Sequence, residues 1–475
     1  MSLPNATASS GESQRLIAQG DSVLSLSPMV PTEPSLNTWT RFITTFEASE
    51  FTDWIDESVS WKSTCYIGDW SPLLKIRVRG PDSKMFFEYL STNHWPIFKP
   101  CQAKHAIFCR DNGTIMGEGV VMMLADDDFI FTSVPGVTWA LYQFHRGSRR
   151  FNATVDIVTD QWYLFQVQGP RSVEVMEAAT GSPVTDLKFM HAKIMTINGS
   201  KFWCLRQGVS GERGFELWGP ADEGQMVYKA IMASGAKYGL RQLGGRAKTV
   251  NHVCNTSRIL FEMEALTKQV EGAFPTPGLD FLPAVHGVDP ELRRYHQYLQ
   301  EAGLTAVSFL HMGATGNYSS QPSAHHRTPF DLGWGWLVNF DHDFIGKEAL
   351  EAVSIDPPNA LVTLEWNSED VTDVYASLFR HETFEYMELP RNGCNSVAGN
   401  SVYVDGCLVG CAVSRCYSYW FKRMISLCVI SKKYSLPGTE VTIMWGQSNG
   451  PQKSIRAIVK PAPYKEDQRK KPLKT

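Results

Sequence analysis

The sequence predicts an α+β protein of several domains that closes on a small all-β barrel. Three observations predict it. The 475 residues exceed one ordinary domain and, at roughly 150 residues per domain, suggest about three. Strand-like alternation and helix-like stretches are interleaved up to about Pro358. Beyond that point the chain reads as short strands separated by Gly and Asn turns, the pattern of a β-barrel.

The first ordered strand is signalled by Leu74, Ile76 and Val78 alternating with Lys75, Arg77 and Arg79, a half-buried pattern stopped by Gly80-Pro81. A helix over Ser83–Leu90 follows. The apolar runs Ala106–Phe108 and Gly119–Leu124 flank Asp111-Asn112-Gly113, a hairpin signal. Asp126–Asp128 marks a second turn before Phe129–Phe131. A helix starts near Pro135 and runs through Phe144. Tyr163–Val167 and Lys201–Leu205 read as strands around a helix at Ser172–Ala179, and a helix over Asp222–Tyr238 ends at Gly239 as its C-cap. Asp331–Phe340 reads as a strand, with a turn at Asp341–Asp343 and a helix over Gly346–Val353. Leu361–Trp366, Ser401–Val404, Val409–Ser414 and Glu440–Trp445 are the barrel strands.

Composition narrows the function. Hydrophobic residues at 43% against 20% charged supply several cores and exclude wholesale disorder. A net charge of −4 argues against a general nucleic-acid binder, and the basic end, Lys465–Lys474, is expected to be solvated. The ten cysteines are scattered without a CxxC pair, so neither a disulfide framework nor a zinc ribbon is expected, and Cys411 and Cys416 read as small buried hydrophobes. The first twenty residues have no signal-peptide or Arg-rich presequence pattern, and no apolar run reaches membrane-spanning length, so a cytoplasmic protein without membrane association is expected. Residues 1–50, rich in Ser, Thr and Pro, read as a loose, poorly ordered leader.

P-loop, GxGxxG, GxSxG and HExxH patterns are absent. His325-His326 lacks a third ligand at metal-site spacing and reads as an exposed loop pair, so no metal is expected. What remains is a series of dispersed segments: Phe165 to Pro170, Arg206 to Leu217, Gly244-Gly245-Arg246-Ala247, Thr328 to Trp336, and Asp343 to Leu350. In this order they resemble the glycine-cleavage T-protein (aminomethyltransferase) superfamily, over about Trp54 to Tyr464. Glu50–Trp54, Asn339–Leu350 and Pro437–Gly446 look like its tetrahydrofolate-dependent branch that O-demethylates vanillate and syringate.

The resemblance implies a three-domain ring of the aminomethyltransferase type with tetrahydrofolate in the central hole. Residues 51–160 and 270–345 would form the first part of the folate-binding domain, 161–252 its second part, and 346–475 the C-terminal β-barrel domain. Glu216 is the candidate pterin ligand, because one carboxylate can accept both the ring N–H and the adjacent exocyclic amine; the alternative is an exposed or capping glutamate. Arg246 matches the family arginine and would pair with the folate tail or brace the site as a structural ion pair. Tyr464 matches a tyrosine that reaches the folate site. Gln168 would support the pocket, with Gly169 as the tight-turn residue. Glu118 corresponds to the family's aspartate near N5 and is the candidate acid/base, or else a turn-flanking strand glutamate.

The substrate half departs from the demethylases. Their tyrosine is replaced by Lys248, which would take over as proton donor or be a solvated lysine. Their histidine falls at Ser71 or Pro72, and their arginine at about Ser133. A further departure is the stretch Val253–Gln269, whose excision restores the family spacing. Its Val-Cys start can be encoded by GTATGC, its end by CAG, and Ala265-Leu266-Thr267 by a CTAAC-like branch point, which suggests a retained intron; the alternative is a helical insert. A similar excess lies around Thr32–Ala48. The expected function is a tetrahydrofolate-dependent methyl transferase that demethylates a methoxy small molecule. The alternatives are an aminomethyltransferase of glycine cleavage and a folate-binding relative without catalysis.

Overall fold

The computed structural model describes residues 25–31, 36, 38–43, 45–254, 290–304, 313–318, 326–390 and 396–473. Three main sheets organise them. A five-stranded sheet has the order Gln102–Cys109, Ile115–Ala125, Asp128–Ser133, Leu74–Arg79, Thr154–Ile157. A six-stranded sheet runs Ala192–Ile197, Ser200–Leu205, Gly214–Pro220, Trp162–Gln168, Cys65–Asp69, Leu240–Gln242. The third is a closed barrel: Ser396–Val404, Cys407–Ser418, Arg423–Ser431, Asn359–Trp366, Lys453–Lys460 and Glu440–Trp445, with the last strand pairing back to the first. Gly313–Gly316 adds in parallel to the barrel strand Ser396–Val404. Closure leaves the six barrel strands without a free edge to template aggregation.

Local chemistry explains the elements. Leu74, Ile76 and Val78 are all buried in one core with Phe87, Phe129, Phe131 and Trp139, each such side chain contributing about 1.5–3 kcal/mol by leaving water. On the opposite face Arg77 donates to Asp128 through Nε at 2.8 Å. The Asp111–Gly113 turn is held by Asn112, whose Oδ1 accepts the Thr114 amide at 3.0 Å. Helix Trp54–Ser63 starts where Asp53 accepts from the amides of Ile55 and Asp56, satisfying two orphan donors. Helix Pro290–Glu301 packs on helix Pro135–Arg146, where Thr138 and Tyr295 share a 2.7 Å hydrogen bond.

Three expectations need correction. Asp331–Phe340 is not a strand but a series of turns with a short 3₁₀ segment at Gly335–Leu337. Asp331 Oδ2 accepts from Thr328 N at 2.7 Å and Thr328 Oγ1 at 2.9 Å, a local closure that competes with ladder bonds. The leader is not loose throughout: Ser25–Leu26, Trp39–Phe42 and Thr45–Ala48 form a small sheet and bury Met29 and Ala48. The basic tail is not a solvated end. Arg206 Nη2 donates to the Arg469 carbonyl at 2.8 Å, the Gln468 amide donates to Gly211 at 2.8 Å, and Leu473 is buried. Of the proposed insert, Val253 and Cys254 end the helix Gly245–Cys254; 255–269 and Glu271 lie outside the described residues, as does His325.

Candidate functional site

The three sheets meet at one aromatic cluster. Tyr66, Trp70, Trp162, Trp203 and Trp218 come from the six-stranded sheet and the turn beside it, Met122 and Ile130 from the five-stranded sheet, and Cys416 and Ile425 from the barrel. Ala247 and Tyr464 pack against the same cluster. A ligand placed here would be surrounded by apolar rings, with orientation left to the few polar groups among them.

Glu216 is the principal such group. It is 3% exposed and lies directly opposite Gln166 on the neighbouring strand. Gln166 Nε2 donates to Glu216 Oε1 at 2.9 Å, and Trp218 Nε1 donates to Oε2 at 3.3 Å. Burial pushes its carboxyl up to about 7, against the pull of the Trp218 and Gln166 hydrogen bonds, because a low-dielectric surrounding disfavours the charged form. A carboxylate has about four acceptor positions, so these two bonds leave capacity for a ligand's paired donors.

Gln168 stands behind this pair. Its Nε2 donates to Gln166 Oε1 at 2.9 Å and its Oε1 accepts the Ser210 amide at 2.9 Å. Two glycines of the Arg206–Leu217 segment make room for it. A Cβ at Gly208 would lie 2.0 Å from Gln168 Nε2, and one at Gly214 would lie 2.4 Å from its Cγ. Gly169 turns the chain with φ +135°, where a Cβ would meet the Thr64 carbonyl at 2.5 Å, a conformation suited to glycine.

The remaining candidates sit apart from this relay. Tyr464 donates to Glu365 Oε2 at 2.6 Å and meets Phe421 edge-on at 5.0 Å, so its ring faces the aromatic cluster while its hydroxyl ties the tail to the barrel. Arg246 donates to Glu50 and to the Leu389 carbonyl, the bracing arrangement of its two readings. Glu118 lies within a strand rather than beside a turn and is buried. Its Oε2 is 2.6 Å from His105 Nε2, whose ring meets Trp334 edge-on at 4.9 Å. Lys248 is not solvated: it is 4% exposed, pairs with Glu47, donates to the Asp69 carbonyl at 2.7 Å, and faces the rings of Phe42 at 4.2 Å and Trp70 at 4.7 Å. Ser71 Oγ accepts the Leu164 amide, and Ser133 Oγ bonds the Glu118 carbonyl and the Gly136 amide. Both hydroxyls serve the backbone.

Sequence reading missed Gln166, Tyr66, Trp218, His105 and Glu47. Gln166 was reachable, being two residues from Gln168 and so on the same strand face. Tyr66 and Glu47 gave no signal, since their neighbours arrive from distant chain segments. Among the described residues no group of three His, Cys, Asp or Glu could hold a metal ion, and no helix is long and apolar enough to cross a membrane.

Comparison with known proteins agrees with this architecture. The family model described as the GCVT N-terminal domain matches residues 35–253. A syringate O-demethylase of Sphingobium sp. (strain SYK-6) is 31% identical over 439 residues, covering 88% of this chain and 89% of that one. A sesamin methylene transferase of Sinomonas sp. is 30% identical, covering 88% and 90%. The crystal structure of the glycine cleavage system aminomethyltransferase T from Bartonella henselae superposes with a TM-score of 0.61 over 91% of this chain and 96% of that one; at 16% identity it shows the fold alone. Three sheets around one aromatic centre, ending in a barrel, are thus the three-domain ring of the aminomethyltransferase fold. The chain belongs to the glycine-cleavage T-protein (aminomethyltransferase) family. Its relatives are a demethylase and a transferase by name, and this chain is an enzyme of that family.

Proposed function

We propose that the chain binds tetrahydrofolate through Glu216 and transfers to it a methyl group from a methoxy small molecule. The observation that carries this reading is the Glu216 carboxylate, enclosed by rings, held by one bond on each oxygen and able to accept two more. Gln166 and Gln168 fix its orientation, and the Tyr66, Trp218 and Tyr464 rings supply flat apolar walls for the pterin. Tetrahydrofolate, when bound, supplies the N5 nitrogen that accepts the methyl carbon. The ether oxygen keeps the bonding pair and needs a proton, while N5 gives one up. Glu118, buried and hydrogen-bonded to His105, is the group assigned to hold that proton, and Lys248 the second candidate on the substrate side.

The two relatives point to the same chemistry, one being a demethylase and the other a methylene transferase by name. A vanillate- or syringate-type donor is not favoured, since the positions where the demethylases carry histidine, arginine and tyrosine fall here at Ser71 or Pro72, at about Ser133 and at Lys248. Incubating the full chain with tetrahydrofolate and a panel of methoxy compounds, and measuring 5-methyltetrahydrofolate, tests the reading. Methyl transfer from at least one uncharged donor is expected. Folate binding without transfer from any donor would favour a non-catalytic relative, and activity on an aminomethyl donor alone would favour the aminomethyltransferase alternative.

A further inference from the structure

Between strands Ser200–Leu205 and Gly214–Pro220 the chain runs through an irregular loop, residues 206–213. Its glycines at 208 and 211 leave many backbone states to be given up on ordering. The loop is gripped from two sides. On the sheet side, Gln168 Oε1 accepts the Ser210 amide at 2.9 Å and the Gly169 amide donates to the Arg213 carbonyl at 2.9 Å. On the other side lies the C-terminal segment Tyr464–Leu473. The Gln468 amide donates to the Gly211 carbonyl at 2.8 Å, Lys465 Nζ to the same carbonyl at 3.2 Å, and Arg469 Nη1 to the Gly208 carbonyl at 3.2 Å. Lys465 also pairs with Glu212, their side chains only 13% and 10% exposed. Arg206, buried at the start of the loop, donates in return to the carbonyls of Arg469 and Lys471. Leu473 anchors the end of the segment in the core of the six-stranded sheet, with Leu187 and Phe202.

We propose that this C-terminal segment is a strap that positions Glu216, with Lys465 and Arg469 as positioning residues. The route between them is continuous. The strap fixes Gly208, Gly211 and Glu212, and the loop so fixed presents the Ser210 amide to Gln168. Gln168 donates to Gln166 Oε1, and Gln166 donates to Glu216 Oε1. Without the strap, the Ser210 amide loses its fixed place and Gln168 loses the bond that selects its orientation. A ligand of Glu216 would then have to order the loop and both glutamines on binding, which lowers affinity. The Lys465–Glu212 pair suits such a strap, because opening it leaves a charge unpaired in a poorly solvated place. That Glu216 receives folate rests on the function proposed above; the ordering of the loop by the strap does not.

Hydrogen exchange and tetrahydrofolate titration of the full chain test this. The main variant combines Lys465→Met with Glu212→Gln, which removes the pair without leaving either charge unpaired. Its Ser210 amide is expected to exchange about tenfold faster or more, with cooperative melting retained. Tetrahydrofolate should bind about tenfold more weakly. The midpoint of the pH dependence of binding should move upward, because the Gln166 donor to the ionised carboxylate is less firmly held. Arg469→Met, a milder change, should shift all three readings in the same direction, and Lys465→Arg, which keeps the cation, should match the wild type. Unchanged Ser210 exchange in either folded variant, or faster exchange with folate affinity and midpoint unchanged, would overturn the proposal. If the wild type binds no tetrahydrofolate, the proposed function and the positioning of Glu216 for that ligand fall together, and the exchange rates alone then show whether the strap orders the loop.

Discussion

Gln166 and Glu216 face each other across adjacent antiparallel strands and are joined by a 2.9 Å hydrogen bond from the amide nitrogen to the carboxylate. The bond fixes one oxygen of a buried acid and leaves its remaining acceptor positions toward the aromatic cluster. The pair is therefore the natural place to perturb the site.

The first prediction concerns pH. The Glu216 carboxyl titrates at about 7 in the fold, raised by burial from its ordinary 4.5. Pterin donors need the ionised form, so folate affinity should rise by nearly tenfold per pH unit from pH 5 towards 7 and level off above it. The free fold responds oppositely. A raised acid pKa means the folded state keeps its proton longer, so this group's contribution to stability falls from pH 4.5 to 7, by about 3 kcal/mol at most. Glu216→Gln should flatten both profiles, which calorimetry and denaturant melts at pH 5–8.5 would detect.

Replacing Gln166 with Leu removes the donor to Glu216 and the acceptor for Gln168 while keeping the side chain's approximate size. Folate binding should weaken by about 1–3 kcal/mol, and the midpoint of its pH dependence should move upward, because one of the bonds that stabilises the ionised carboxylate is gone. Unchanged affinity and midpoint would assign the Gln166 amide to packing alone.

Tyr464→Phe separates ring from hydroxyl. The hydroxyl bonds Glu365, which also meets Arg423 at 3.2 Å and Lys460 at 3.9 Å, so its loss should cost about 0.5–1.5 kcal/mol of stability and leave folate affinity nearly unchanged. Tyr464→Ala should lower both. A large loss of folate binding in the Phe variant would show that the hydroxyl reaches the ligand.

Much of this architecture is legible in the chain because short-range chemistry decides it. Ser83–Leu90 and Glu440–Trp445 have their observed limits in the sequence pattern, and the Asp111–Gly113 turn is specified by its own side chains. Asp331–Phe340 is misread because its apolar alternation hides a Thr328–Asp331 closure. The ion pair of Glu47 and Lys248 joins residues 201 positions apart in the chain, and the docked tail depends on Arg206 meeting carbonyls at Arg469 and Lys471. Such contacts depend on the assembled ring, not on local propensity. Glu216 could be named from its flanking segment, but its partners Gln166 and Trp218 become meaningful only with the register in hand.

The Val253–Gln269 segment carries Ile259, Leu260, Phe261 and Leu266, and its first two residues end a helix whose Val250 is buried in the central cluster. If the segment is a retained intron, its deletion is expected to raise soluble yield and thermal stability, since added apolar residues without a place in the core would promote aggregation. Transcript sequencing should find a spliced message without it. Its presence in every transcript, together with unfolding of the deletion variant, would establish it as part of the fold.

Titration of tetrahydrofolate into the full chain and into Glu216→Ala at pH 7.5 tests the central claim most directly. At that pH the carboxylate is largely ionised, and its removal leaves the pterin's paired donors without an acceptor. A loss of about 1–3 kcal/mol, roughly 5- to 150-fold in affinity, is predicted for a variant that melts cooperatively. Equal affinity in the wild type and in the folded Glu216→Ala variant would contradict the assignment of this carboxylate as the folate ligand.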